Sequence, residues 1–299
     1  MKPFGVLCPI VTPCSRSGEI DRDGLVSVAR YMLNNGCAGL FVCGSTGRGP
    51  WFDLKSKVAI CKTVREEVGS DVPLYAGCAG SGLPDMLANA EAMRDAGAQV
   101  AVLTLPGYFA YSQNEIETIF MAFADKSALD VMIYDIPAFT GNQLDNALIT
   151  RLARHERVIG FKDSSADYAR FVDLLSVLNS QPDFYLMQGK ENILGNSILR
   201  GASGLVCSLL HITPEPFVNL YLAASTGKQA QAETLQEKIT AIMEIVEYSF
   251  SKCSESSTLF HILNYALKTR GVCDNILLEH EGDCPKWLAD EAKKATEIC

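Results

Sequence analysis

Short apolar runs alternate with longer amphipathic segments along most of the chain. The runs fall at residues 5–11, 39–43, 74–76, 100–105, 131–134, 158–161, 184–187 and 204–207. They are apolar throughout rather than alternating, as strands covered on both faces are. Between them, residues 23–33, 54–68, 83–96 and 114–123 carry apolar positions at helical spacing. Eight strand-then-helix units close a parallel barrel, so the expected fold class is α/β, a (β/α)8 TIM barrel. An open doubly wound sheet competes. It would announce itself with G-x-G-x-x-G after the first strand, where this chain has Pro9-Ile10-Val11-Thr12-Pro13. From about Gly227 the strand signal stops, and residues 229–250, 257–269 and 285–298 read as helices. The expected division is a barrel over residues 1–226 and a C-terminal helical extension over 227–299. The stripe Ile239, Ile242, Ile245 and Val246 should pack on the barrel or on another subunit.

Composition narrows the function classes. With 299 residues, 48% hydrophobic and 20% charged, the chain can bury a sizeable core. Net charge is −9 and the basic residues are scattered, which argues against nucleic-acid or anionic-membrane partners. A small anionic substrate stays open, because one site can be positive on an acidic protein. No apolar run approaches the roughly 20 residues that span a bilayer. Residues 1–5 lead into strand-like sequence rather than a signal peptide, so a cytoplasmic location is expected. The 11 cysteines contain no C-x-x-C and the four histidines are isolated, so no metal site is expected. Cys8, Cys43 and Cys207 lie inside apolar runs, where a thiol packs as a small hydrophobe.

Chemistry collects where the strands end. The run 158–161 delivers Lys162, the run 131–133 delivers Tyr134, and the run 39–43 delivers Gly44-Ser45-Thr46-Gly47. In a parallel barrel the carboxyl ends of the strands form the active face. Each feature alone has an ordinary reading: a lysine that snorkels, a barrel tyrosine with a satisfied hydroxyl, a tight turn. Together they place an amine, a phenol and a hydroxyl loop on one face. An amine held in apolar surroundings loses proton affinity and becomes a nucleophile toward carbonyls, so a Schiff base on Lys162 is expected. Tyr134 would shuttle protons, with Thr46 and Tyr108 as possible partners in a relay. The hydroxyls and amides of Ser45, Thr46 and Gly47 suit a carboxylate.

These motifs, with Pro106 to Tyr108, Tyr134-Asp135-Ile136-Pro137, Thr140-Gly141 and Gly160-Phe161-Lys162-Asp163, make nearly the whole chain resemble one family. It is the N-acetylneuraminate lyase / dihydrodipicolinate synthase family of class I aldolases and lyases. The resemblance implies a barrel with C-terminal helices, assembled as a homotetramer that is a dimer of dimers. It implies pyruvate, or the pyruvoyl end of a 2-oxo acid, held as an imine on Lys162 with no metal or organic cofactor. Ser45 and Thr46 would hold the carboxylate and Tyr134 would move protons. Tyr108 matches a residue that completes the relay across a subunit interface in many members. Gly189 and Val206 match backbone positions lining the imine pocket.

Departures from the family pattern bear on the substrate. Arg48 stands where members generally carry glutamate, and Asp135 where they carry asparagine. Phe139 replaces the arginine with which the synthases bind the aldehyde's carboxylate, which argues against lysine biosynthesis. Ser164, Lys190-Glu191-Asn192 and Ser208 stand where the sialic-acid lyases hold a polyol tail; they can bond hydroxyls, though not in that pattern. Glu191 and Asn192 can equally be a helix-start pair. Lys162-Asp163 is more like the 2-keto-3-deoxy sugar acid aldolases and dehydratases. The expected activity is therefore cleavage or formation of a C–C bond between pyruvate and an aldehyde, the 2-oxo acid being a sugar acid or a relative. A dehydratase or deaminase using the same imine is the first rival. The second is a binding barrel whose catalysis has decayed, with Arg48 marking the loss.

Overall fold

A computed structural model of the chain describes residues 5–181 and 183–298. The eight runs are the strands of one closed parallel barrel in sequential order. They are β1 (Gly5–Pro9), β2 (Gly39–Val42), β3 (Leu74–Gly77), β4 (Val100–Leu103), β5 (Asp130–Asp135), β6 (Val158–Asp163), β7 (Tyr185–Gln188) and β8 (Gly204–Leu205). The outer ring begins with α1 (Arg22–Asn34), α2 (Leu54–Val68), α3 (Leu83–Asp95) and α4 (Gln113–Lys126). It continues with α5 (Pro137–Thr140), α6 (Asn146–Leu152), α7 (Tyr168–Leu178), α8 (Leu194–Leu199) and α9 (Glu215–Ser225). The expected barrel is thus the observed fold; the lead-in at residues 1–4 lies outside the described residues.

Strand alternation sorts the core into two parts. Leu7, Phe41, Tyr75, Val102, Met132, Tyr185 and Met187 fill the barrel interior. Their strand neighbours, such as Val6, Leu40, Val42, Ile133 and Phe161, face the helices in a larger cluster. Both faces are apolar, which is why the sequence shows runs rather than alternation.

Acidic and hydroxyl caps set where the helices begin. Asp21, Asp53, Asp145 and Asp167 each accept from a backbone amide three residues on. Ser112 and Glu115 cap one another's backbone and start α4 at Gln113, one residue before the expected helix. Four strands end before the expected residue; β2 stops at Val42 and β4 at Leu103. β1 stops at Pro9, and the Val11 amide turns to the ring of His211 instead of a neighbouring strand. β8 stops at Leu205, and the chain curls into a 3-10 turn over Leu209–His211.

Beyond the barrel lie α10 (Gln229–Phe250), α11 (Glu255–Thr269) and α12 (Lys286–Thr296). α10 packs on α9 and on the short turn Glu191–Ile193, while α11 packs on the turn that contains His211. Both turns follow barrel strands at their carboxyl ends, so α10 and α11 lie across the barrel mouth. Ile239, Ile242 and Val246 are fully buried in that packing, each contributing about 1.5–3 kcal/mol. An aspartate at 239 would put a charge in that seam and detach the helix from the barrel.

Candidate active site

β5 and β6 pair in register, with Tyr134 opposite Lys162 and Asp135 opposite Asp163. Successive side chains on a strand face opposite ways. Tyr134 and Lys162 therefore point into the barrel, and the two aspartates point out toward α7. Lys162 is 5% exposed. Its Nζ lies 3.8 Å from the centre of the Tyr134 ring and 5.6 Å from that of Phe41. A cation at that range is held by the ring faces.

On the outer face, Nη2 of Arg170 sits 2.8 Å from Asp135 and 2.5 Å from Asp163. Nη1 of Arg170 also donates to the Leu144 carbonyl. One side chain thus ties the ends of both strands. Burial pushes the Asp135 carboxyl up from 3.8 to about 6, with Arg170 opposing only in part.

The loop after β2 is tightly wound. Cys43 and Arg48 both adopt the left-handed conformation, at φ 55° and 54°, a strained state for side chains of this kind. The Arg48 amide donates to Ser45 at 3.1 Å and the Gly49 amide to Gly44 at 3.0 Å. A Cβ at Gly49 would lie 1.9 Å from the Cys43 carbonyl oxygen, so only glycine fits there. The winding presents Ser45 and Thr46 to the barrel mouth. Arg48 also borders the space above the strand ends and is 4% exposed. Its Nη2 donates to both oxygens of Glu281, at 2.6 and 2.7 Å, and its guanidinium lies 3.6 Å from the Phe260 ring centre. The positive charge that replaces the usual glutamate is therefore balanced from the C-terminal extension.

A cavity of about 420 Å³ opens above these strand ends. Ser45, Thr46, Tyr134, Lys162, Ser164, Gly189, Glu191, Val206 and Ser208 all line it. Gly189 is required by space: a Cβ there would lie 2.3 Å from Ser164 Oγ and 3.1 Å from Lys162 Cε. Glu191 lies buried in the wall, and burial pushes its carboxyl up against the opposing pull of Lys190 and Lys162. A wider depression of about 730 Å³ by Arg16, Trp51 and His280 has no such set of strand-end groups.

Three residues expected at the site stand outside this wall. The Gly47 carbonyl accepts from Thr12 Oγ1 at 2.8 Å, which pins Gly47 to the loop's inner side. Asn192 is exposed on the 3-10 turn that buries Glu191. Tyr108 is 88% exposed and packs edge-on against Phe109, away from the cavity of its own chain.

Other wall residues were not foreseen. Met243, Val246, Glu247 and Phe250 come from α10, and Leu259 and Phe260 from α11. The stripe on α10 was legible as apolar, but nothing in it says which part closes a cavity. His211 is a further supporting residue. Its Nε2 accepts from the Val11 amide at 3.3 Å and its Nδ1 lies 2.9 Å from the Ser208 carbonyl. This arrangement assigns the neutral ring with its proton on Nδ1. Burial lowers its pKa to about 4.

The cysteines behave as core. Cys8, Cys43 and Cys207 are buried, and burial pushes their thiols up. Among the described residues no group of three or more His, Cys, Asp or Glu gathers as metal ligands would.

The Dihydrodipicolinate synthetase family matches residues 2–278 of the chain. Among curated relatives, 4-hydroxy-tetrahydrodipicolinate synthase 1 of Streptomyces coelicolor is 33% identical, over 81% of this chain and 78% of its own length. The 2-dehydro-3-deoxy-D-gluconate/2-dehydro-3-deoxy-phosphogluconate aldolase of Picrophilus torridus is 30% identical, over 81% of this chain and 89% of its own. A solved structure of dihydrodipicolinate synthase from Bacteroides thetaiotaomicron superposes with a TM-score of 0.91 at 26% identity, over 99% of both chains.

Proposed function

The chain belongs to the Dihydrodipicolinate synthetase family, and from that premise we propose that it is a Schiff-base-forming class I lyase or aldolase joining pyruvate to an aldehyde or cleaving the product. The observation that carries this reading is the buried amine of Lys162, 3.8 Å from the Tyr134 ring inside the cavity. The amine attacks the ketone carbon of a 2-oxo acid and water leaves, giving a protonated imine. The imine keeps a positive charge beside the same ring faces. Tyr134, having given its own proton to the leaving water, then takes the proton of the carbinol hydroxyl, and the C–C bond breaks. The aldehyde departs and the bonding electrons pass into an enamine of pyruvate. Protonation of the enamine and hydrolysis release pyruvate and restore the amine; the reverse sequence is aldol addition. Ser45 and Thr46 hold the carboxylate, which contributes by positioning. Ser164, Gly189, Val206 and Ser208 shape the remaining walls, and Glu191 is placed to hold a proton near the imine. No metal or organic cofactor enters this scheme.

The proposal extends to assembly. The exposed pair Tyr108 and Phe109 supports an interface at which Tyr108 reaches a neighbour's cavity, within a homotetramer built as a dimer of dimers. Residues 227–299 act as an extension that closes the barrel of residues 1–226. The acidic, scattered charge supports a small-molecule partner rather than nucleic acid or membrane. Among the described residues no helix is long and apolar enough to cross a membrane, and the cytoplasm is the compartment proposed.

Elimination of a β-substituent from the same imine is the rival, since Lys162 and Tyr134 would serve it equally. Product analysis with 2-keto-3-deoxygluconate separates the two. Pyruvate plus glyceraldehyde supports the aldolase, and a 2,5-dioxo acid supports the dehydratase. A decayed binding barrel predicts neither product, and ligand binding that survives Lys162→Ala.

A further inference from the structure

The cavity has two unlike walls. The strand ends supply the amine, the phenol and the hydroxyls. Facing them, Ile136, Met243, Val246, Phe250, Leu259 and Phe260 form an apolar wall. Two cations that border the cavity each have a carboxylate beside them. Arg48 is paired with Glu281, the two side chains being 4% and 3% exposed. Lys190 pairs with Glu247 at 3.7 Å on the rim. Among the described residues lining the cavity, Lys162 is the cation that no carboxylate pairs. Its charge would pass to the protonated imine, at the pyruvoyl end of the cavity.

A carboxylate or phosphate at the aldehyde end would have to compete with Glu247 for Lys190, or with Glu281 for Arg48, whose Nε and Nη1 are buried without hydrogen-bond partners. A polyol would face a wall with few partners for its hydroxyls, and each unmet polar group weakens binding. An aryl or branched alkyl group would bury apolar area there. Ser164, Glu191 and Ser208 remain at the strand ends, where they can serve the pyruvoyl group and the carbinol oxygen. Asn192, the other polar candidate for a sugar tail, faces away.

We infer that the aldehyde half of the substrate is apolar, an aryl or branched alkyl group rather than a sugar or an anion. The inference rests on the imine reading of Lys162 and narrows the sugar-acid expectation.

The test uses the full chain with two readouts. Aldol addition to pyruvate is followed with benzaldehyde and with glyceraldehyde, and kcat/KM should favour benzaldehyde by at least about tenfold. Phe250→Asn should narrow that gap. Independently, 2-oxo-4-phenylbutanoate and 2-keto-3-deoxygluconate compete with labelled pyruvate during borohydride trapping. The phenyl compound should protect at about tenfold lower concentration. Equal or reversed preference in the competition overturns the inference, whether or not aldol product forms. So does pyruvate trapping combined with a glyceraldehyde preference. Absence of any pyruvate adduct is a different result: it removes the imine reading and the inference with it.

Discussion

Asp135 and Asp163 stand opposite each other at the ends of β5 and β6, and both reach the single guanidinium of Arg170. Each directly follows a residue of the proposed chemistry, Tyr134 and Lys162. The outward clamp therefore fixes the register that brings the inward pair together. Burial, which Arg170 offsets only in part and the Asp163 charge reinforces, is why Asp135 holds its proton so firmly.

That firmness gives a pH dependence of definite sign. Asp135 is raised from 3.8 to about 6, so the folded state binds its proton more tightly than the unfolded chain. The resulting stability is present in full below about pH 4 and is lost as pH rises through about 6, an effect of about 3 kcal/mol. Asp135→Asn removes it. Urea unfolding across this window should show the variant gaining on the wild type as pH rises. Parallel profiles would contradict the account.

The ion pair between Arg48 and Glu281 predicts a strong asymmetry. Glu281→Gln leaves a buried guanidinium uncompensated, and its Nε and Nη1 already lack hydrogen-bond partners. The expected cost is about 3–5 kcal/mol. Combining Arg48→Met with Glu281→Leu should recover most of it, because an apolar pair of similar size needs no compensation. Urea midpoints of the single and double variants decide this, and a double variant no better than the single would refute it.

Tyr134→Phe keeps the ring against Lys162 and deletes the hydroxyl. Loss of the proton shuttle should lower kcat by about 10²–10⁴, while hydride trapping of pyruvate on Lys162 persists. Unchanged turnover would remove Tyr134 from the mechanism.

His211 predicts the opposite pH sign to Asp135. Its pKa is lowered from 6.5 to about 4, so its contribution is complete above about 6.5 and disappears as pH falls through about 4. The span corresponds to about 3 kcal/mol. An NMR titration of the ring should find it neutral at pH 5. Titration near 6.5 would show that the ring is not held between Val11 and Ser208.

The barrel and the residues that end its strands were legible because one local pattern carried both. An uninterrupted apolar run marks a strand covered on two sides, and the residue that breaks it sits at the barrel mouth, where Lys162 and Tyr134 line the cavity. Helix starts were legible wherever an aspartate or serine supplied a cap. What stayed hidden depends on long-range register. Arg170 gains its role only when β5 and β6 place Asp135 beside Asp163. Glu281 gives no sign in sequence that it will meet Arg48. The stripe of Met243, Val246 and Phe250 says that a face is buried, but the same stripe would pack on a neighbouring helix as readily as over a cavity.

The most direct measurement is the intact mass of the protein after incubation with pyruvate and borohydride, followed by peptide mapping. The account predicts one added pyruvate-derived group, reduced and irreversibly attached, on Lys162, and none on the Lys162→Ala variant. An unchanged mass, or a label on any other lysine, would contradict it.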